Sequence, residues 1–302
     1  MEMDSAYHRP VLLETAIEGL KIDPDGVYVD ATFGGGGHSR EILARLKNGK
    51  LFGFDQDPDA LANVPDDGRF TLIAQNFRLT TQYLRFYGIE QVDGILADLG
   101  VSSHQLDEAE RGFSTRFDAP LDMRMDQQGK LTAADIVNTY EPADLIHLLR
   151  EYGEINNAPK LVRKITEIRE ESPILRTGTL VKIATSFAPP RKERKYLAQI
   201  FQALRIEVNQ EMEVLKEFLE QCVKALAPGG RLVVISYHSL EDRLVKRFLR
   251  SGNFAGEVLK DLYGNPKTPF KVISRKVIVP GEEEINENPR ARSARMRIAE
   301  RK

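Results

Sequence analysis

Short, continuous apolar runs recur through the N-terminal third of the chain, separated by stretches with helical periodicity. The runs are Val27–Ala31, Leu51–Asp55, Phe70–Ala74 and Val92–Asp98, each of strand length. Strands with little polar alternation are covered on both faces, as in a parallel sheet wrapped by helices. The pattern predicts an α/β, doubly wound fold. The first run leads through glycines into a predicted helix over Ser39–Leu46, closed by Asn48-Gly49.

The rhythm changes after residue 106. Between 107 and 206 no strand-like run occurs. Thr132-Ala-Ala-Asp135 has the form of a capping box, Pro142 opens a second helix that Gly153 ends, and Asn157 with Pro159 opens a third. The predicted organisation is one domain made of 1–106 and 207–302, with a helical inserted domain at 107–206. A long helix is predicted over 193–226. Leu197, Phe201, Leu204, Val208, Leu215, Leu219, Cys222 and Leu226 recur in it at helical intervals, and Ala227-Pro-Gly-Gly230 stops it. Gly230–Ser236 reads as a fifth parallel strand, and Lys271–Val279 with Ser293–Ile298 as a final antiparallel pair.

Composition narrows the setting. The chain has 302 residues, a formal net charge of −2 and a single cysteine, Cys222. One cysteine allows no internal disulfide, and a reducing, cytoplasmic location is the expectation. The start of the chain, with Glu2 and Asp4, has no apolar leader, and no segment reaches the ~20 apolar residues of a membrane span. The near-neutral total conceals an asymmetry. Residues 107–159 carry 11 acids and 5 bases, residues 160–207 carry 11 bases and 5 acids, and residues 290–302 carry 6 bases and 1 acid. Arg191-Lys-Glu-Arg-Lys-Tyr196 concentrates the positive charge just after Pro189-Pro190. Such patches serve as solvated faces or as tracks for phosphates; beside a cofactor domain they point to a large polyanion.

The candidate chemistry begins at Asp30-Ala-Thr-Phe-Gly-Gly-Gly-Gly-His38. Glycines let a backbone approach a ligand closely, and the N-terminus of the following helix offers unpaired N–H groups. The next strand ends at Asp55, 19 residues beyond Gly36, where an acid takes two ribose hydroxyls. This layout names a nucleotide site without naming the nucleotide, so an NAD-type oxidoreductase is a rival. Against NAD, the turn lacks the G-x-G-x-x-G spacing, with Ser39 three residues after Gly36.

Asp98 ends the fourth strand on the same edge. A carboxylate there can hold the N–H of an exocyclic amine and so aim its lone pair for in-line attack on a methyl donor. Cys222 lies on an apolar helix face and reads as core. The histidines at 8, 38, 104, 147 and 238 show no paired ligand spacing, so no metal site is expected.

These motifs resemble the bacterial 16S rRNA (cytosine-N4)-methyltransferase family, that of ribosomal RNA small subunit methyltransferase H. The matching segments are His8-Arg-Pro-Val-Leu-Leu13, the glycine turn through Ser39, Asp98-Leu-Gly-Val-Ser-Ser103, Gln105-Leu-Asp107 and Arg111-Gly-Phe-Ser114. They continue with Pro120-Leu-Asp-Met-Arg-Met125, Phe201-Gln-Ala-Leu-Arg-Ile206, Ala227-Pro-Gly-Gly-Arg231, Ser236-Tyr-His-Ser-Leu-Glu-Asp-Arg243 and Asn288-Pro-Arg-Ala-Arg-Ser293. Together they run in order along nearly the whole chain. The resemblance implies a class I (Rossmann-like) methyltransferase sheet with a helical insertion that helps hold RNA. It implies S-adenosyl-L-methionine as donor, and N4-methylation of a cytidine in the P-site decoding region of 16S rRNA within the small ribosomal subunit. It assigns Gly36, Gly37 and His38 to the cofactor's methionine part, Asp55 to its ribose and Phe77 to its adenine, with Asp98 and Gln105 completing the site.

Many amino-group methyltransferases follow the fourth strand with two prolines and an aromatic that stacks on the base. Here Asp98-Leu-Gly-Val101 has neither; Phe113 and Tyr237 are the candidate stacking rings, with a place in the core the equal alternative for both. A non-catalytic RNA-binding protein on the same fold is a second rival. The sequence leaves the oligomeric state open between monomer and homodimer.

Overall fold

The computed structural model describes residues 10–264 and 266–302; His8 and Arg9 of the first matching segment, and Glu2 and Asp4, lie outside them. The chain forms two compact units, one of residues up to Gly100 with Glu213–Lys302, the other of Val101–Met212.

The first unit is built on a seven-stranded sheet: β1 (Val27–Asp30), β2 (Lys50–Phe54), β3 (Phe70–Ile73), β4 (Val92–Asp98), β5 (Leu226–Ser236), β6 (Phe270–Val272) and β7 (Arg295–Arg301). Its order is β3-β2-β1-β4-β5-β7-β6. Neighbours among β1 to β5 run parallel, while β7 is antiparallel to β5 and β6. Alternate residues of the buried strands serve two cores. Val29, Phe52, Ile95, Ala97 and Val234 face one, and Tyr28, Leu51, Leu96, Val233 and Ile235 face the other. Strands buried on both faces have no polar side, which is why their sequence shows apolar runs.

Helices α1 (Leu13–Leu20) and α2 (Gly37–Arg45) supply Ile17, Leu20 and Ile42 to one core. Helix α3 (Thr80–Phe86) supplies Leu84 to the other. The chain winds outward from β1 through β2 to β3, then returns to β4 on the opposite side of β1. The strand order therefore reverses between β1 and β4, the place where ligands enter such sheets. Asp30 and Asp98 are the last residues of those two strands.

The second unit is helical and has its own core. Helices α4 (Ser103–Asp107), α5 (Ala133–Thr139), α6 (Pro142–Glu151), α7 (Ala158–Glu171), α8 (Thr177–Thr185) and α9 (Glu193–Val208) form it. Its backbone pairing outside helices includes one isolated bridge, Pro120 with Arg176. Thr132 caps α5 with Asp135 as its spacing predicts, and Pro142 occupies the first turn of α6. Among the described residues no helix is long and apolar enough to cross a membrane.

Two sequence expectations are corrected. The long helix over 193–226 is two helices, α9 and α10 (Glu211–Ala225). Its unbroken periodicity serves two different cores: Leu197, Phe201 and Leu204 pack in the helical unit, whereas Leu215, Leu219 and Cys222 pack against the sheet. Between them Gln210 adopts φ 51°, a left-handed conformation that ends an α-helix. Asn209 makes the break useful. Its Nδ2 donates to the Met123 and Arg205 carbonyls at 2.8 and 2.9 Å, and its Oδ1 accepts from the Met125 N–H at 2.8 Å. The fifth strand also begins earlier than Gly230. Leu226 pairs with Val92, the register shifts, and Arg231 pairs with Gly94, so Ala227–Gly230 bulges out.

Asn209→Ala leaves two backbone groups of the 123–125 segment without partners and should destabilise the helical unit by about 2 kcal/mol. A urea midpoint lowered at unchanged slope is the expected result; an unchanged midpoint would show that water replaces the amide.

Candidate active site at the carboxyl edge of the sheet

The glycine turn follows β1 and is stitched to its neighbours by backbone bonds. The Ala31 N–H donates to the Leu96 carbonyl at 2.8 Å, and the Phe33 N–H to the Phe54 carbonyl at 2.9 Å. Gly34 and Gly36 have φ of 50° and 72°, where a side chain is strained. Each glycine has a separate reason. A Cβ on Gly36 would stand 2.9 Å from the Phe33 ring, and a Cβ on Gly37 only 2.1 Å from Pro10 Cγ. A Cβ on Gly34 would meet nothing nearer than the Thr32 carbonyl at 3.9 Å, so the turn is open on that side.

Asp55 follows β2 and closes on this turn. One carboxylate oxygen accepts the Gly34 N–H at 2.7 Å and the other the Asp57 N–H at 2.9 Å. Asn63 Nδ2 donates to the Gly34 carbonyl at 3.0 Å, holding the turn from the opposite side. Each Asp55 oxygen keeps a second lone pair, enough for two vicinal hydroxyls. Burial pushes the Asp55 carboxyl up to about 6, against the lowering pull of these N–H donors.

Asp98 lies across the turn from Asp55. Its backbone N–H donates to Thr32 Oγ1 at 2.6 Å, and one carboxylate oxygen accepts the Tyr237 hydroxyl at 2.9 Å. The other oxygen is 4.0 Å from His38 Nδ1, and the carboxylate keeps an edge to solvent. His38 Nε2 lies 3.2 Å from the Val11 carbonyl, which can only accept, so Nε2 is the donor there and Nδ1 is the nitrogen nearest Asp98. Burial pushes Asp98 up to about 6, opposed by His38 and by the Tyr237 hydrogen bond. Asp30, fully buried beneath them, accepts from Ser39 Oγ at 2.7 Å and from the Thr32 N–H at 3.1 Å, and burial raises its pKa as well. Among the described residues no Lys or Arg pairs with Asp30, Asp55 or Asp98. The edge is therefore a desolvated, acidic cleft, with a geometry that favours a cationic ligand over an anionic one.

Of the residues singled out in the sequence, Gly36, Gly37, His38, Asp55 and Asp98 come together on this edge. Phe77 follows β3 and packs edge-on against Phe218 of α10, with ring centroids 5.0 Å apart. Gln105 belongs to the helical unit. Its Oε1 accepts the Ser102 N–H at 3.0 Å, and its own N–H donates to Ser102 Oγ at 3.1 Å, closing a capping box on α4. Phe113 lies in the core of that unit, with the Arg111 guanidinium 5.9 Å from its ring centre. Cys222 is buried, and burial raises its thiol pKa well above the ordinary value, which keeps it a thiol.

Sequence reasoning named Tyr237 as a candidate stacking ring or core residue and missed its link to Asp98. The signal was Tyr237's place immediately after β5, whose end lies beside that of β4. It also missed Glu241, which is buried and accepts the Tyr237 N–H at 2.9 Å. Much of the C-terminal basic cluster proves structural. Arg297 binds Asp242 at 2.7 Å, Arg295 reaches the same carboxylate at 3.3 Å, and Arg301 donates to the Val223 and Pro269 carbonyls. The 191–195 cluster is exposed throughout.

Comparison with known proteins agrees with this geometry. The family model described as "MraW methylase family" matches residues 5–302. A protein of Flavobacterium johnsoniae called ribosomal RNA small subunit methyltransferase H is 62% identical over 98% of this chain and 98% of its own. One of the same name from Amoebophilus asiaticus is 57% identical over 99% of this chain and 97% of its own. A sheet wound as in class I (Rossmann-like) methyltransferases, an acidic cleft at its switch point and a match along nearly the whole length lead to one conclusion: the chain belongs to the MraW methylase family.

Proposed function

We propose that the chain methylates RNA of the small ribosomal subunit, moving a methyl group from S-adenosyl-L-methionine to the N4 amine of a cytidine in the P-site decoding region of 16S rRNA. The family match and the relatives' shared name support the methyltransferase and its RNA class. The observation that carries the chemistry is Asp98, desolvated at the switch point and bound by the Tyr237 hydroxyl.

The residues present fit the cofactor. When bound, it supplies a methyl group on a cationic sulfonium, which leaves a neutral thioether on transfer. Gly36, Gly37 and His38 would line its methionine part, Asp55 would accept from the ribose hydroxyls, and Phe77 would lie against the adenine. The desolvated carboxylates favour a cation at this edge and disfavour the negatively charged pyrophosphate of NAD.

Asp98 acts by position. Its carboxylate accepts a hydrogen bond from the target amine, bending that N–H away from the ring plane and freeing the nitrogen lone pair for in-line attack, and the proton in that bond passes to the carboxylate once the nitrogen carries its methyl group, so that neutral N4-methylcytidine leaves. Tyr237 holds one carboxylate oxygen, which leaves the other to the substrate. Residues 107–206 would hold the RNA, with the exposed cluster Arg191–Lys195 meeting phosphates. The deciding experiment is methyl transfer to small subunits from cells lacking this protein, with the modified nucleoside identified by mass. N4-methylcytidine is the expected product; any other nucleoside refutes the base assignment.

Asp98→Ala should abolish transfer while changing cofactor affinity by only a few-fold; full activity would remove Asp98 from the chemistry. Asp55→Ala should weaken cofactor binding by about 1–3 kcal/mol, the cost of unpairing hydrogen bonds to a charged group. Calorimetry with S-adenosyl-L-methionine and with NAD as separate titrants tests both the residue and the cofactor class.

Two pH dependences follow from carboxyls held up at about 6. Asp98 must be ionised to accept from the amine, so the rate should fall as pH drops below about 6. The stability sign is opposite. Between pH ~4 and ~6 the folded chain holds protons that the unfolded chain releases, so unfolding free energy decreases as pH rises through that window. Asp98→Asn should therefore raise the melting temperature of the cofactor-free protein at pH 8 and not at pH 4. Equal shifts at both values would show that ionisation is not the source.

A further inference from the structure

Helix α11 (Ser239–Ser251) starts two residues after Tyr237 and carries a charge pattern that the proposed chemistry does not use. Its apolar side chains Val245, Phe248 and Leu249 are buried against the sheet. Its acids, Glu241 and Asp242, are buried on the same inner side. Asp242 is neutralised by Arg297, at 2.7 and 3.2 Å. The outer face is left to Arg243, Lys246, Arg247 and Arg250, all exposed. Their spacing of three, four and seven residues places all four on one stripe about 10 Å long. Among the described residues none of them meets a carboxylate at ion-pair distance, unlike Arg295 and Arg297 close by on β7.

Four unpaired cations on one face repel one another and cost stability, which an unselected solvated surface avoids by mixing signs. A surface of this kind gains from a polyanion. Lipid is the poorer occupant, because α11 has already spent its apolar face on the core and has none to insert into a bilayer. Nucleic acid fits: a duplex carries a charge about every 1.7 Å of its axis, so a 10 Å row of cations spans several phosphates. The stripe also sits well for substrate. Arg243 is one helical turn from the start of α11, and therefore close to Tyr237 and the Asp98 edge.

We propose that the outer face of α11 is a phosphate-tracking RNA contact on the sheet unit, separate from the basic segment of the helical unit. It rests on the reading that the substrate is RNA. The stripe would hold the backbone flanking the target nucleotide while Asp98 acts on the base.

The test compares full-length wild type, the double variant Lys246→Glu/Arg250→Glu, and a control reversal of an exposed base elsewhere on the same unit, Arg85→Glu. End-labelled transcribed 16S rRNA is the binding probe, titrated without cofactor between 50 and 300 mM salt. The double variant should bind at least tenfold more weakly, with a slope of log affinity against log salt shallower by about 1.5, the loss of two phosphate contacts. In methyl transfer to undermethylated small subunits its KM should rise about tenfold, with kcat and cofactor affinity within twofold of wild type. Arg85→Glu should match wild type in all of these. Wild-type affinity and slope in the double variant, or an equal loss in Arg85→Glu, overturn the proposal. If charge reversal lowers the melting temperature, Lys246→Gln/Arg250→Gln carries the same binding test. RNA binding that weakens as expected, in a protein that transfers no methyl, leaves this surface standing and defeats the functional reading instead.

Discussion

Asp30 is buried, and Asp55 and Asp98 half-buried, at one edge of the sheet with no Lys or Arg among the described residues to balance them, and their surroundings are organised by that cost. Desolvating a carboxylate opposes its ionisation, and the structure answers with N–H and O–H donors in place of counter-ions: Gly34 and Asp57 for Asp55, Ser39 and Thr32 for Asp30, Tyr237 for Asp98. The backbone donors among them, Gly34, Asp57 and Thr32, are fixed by chain position. They require the turn after β1 to fold back on the end of β2, which in turn needs the parallel register of the two strands. The sheet is thus the scaffold that makes an acidic cleft possible, and the cleft is an energetic burden that a cationic ligand relieves.

The same logic explains where the site lies. The reversal of strand order between β1 and β4 leaves their carboxyl ends with no crossover helix between them, and Asp30 and Asp98 occupy those two ends. Thr32 joins them, accepting the Asp98 N–H while its own N–H donates to Asp30. One short turn therefore positions both carboxylates, so the glycines, the acids and the hydroxyls behave as a single unit.

The strands and the glycine turn were legible because local signals agree with the global fold. Apolar runs ending at Asp30-Ala31, Asp55 and Asp98 need no tertiary knowledge to be read, and the turn between two of them places the edge. The break at Asn209-Gln210 was not legible, because the apolar period continues across it unchanged. What interrupts the helix is a side-chain amide binding a segment more than 80 residues away, and periodicity carries no trace of that. Tyr237 was visible as an aromatic but not as a donor, since its partner lies 139 residues distant. The basic tail misled for the converse reason. A count of charges cannot tell an arginine that faces solvent from one spent on a buried carboxylate, as Arg297 is on Asp242.

Gly37 has a further consequence. Its missing side chain is demanded by the ring of Pro10, which stands where a Cβ would go. The neighbouring residues Val11 and Leu12 anchor the same segment, through His38 and through a bond from the Leu12 N–H to Glu284. Positions 10 and 37 are thus tied to each other across the mouth of the turn. Over evolutionary time the two should change together, with a methyl group admitted at 37 only in lineages that have given up the ring at 10.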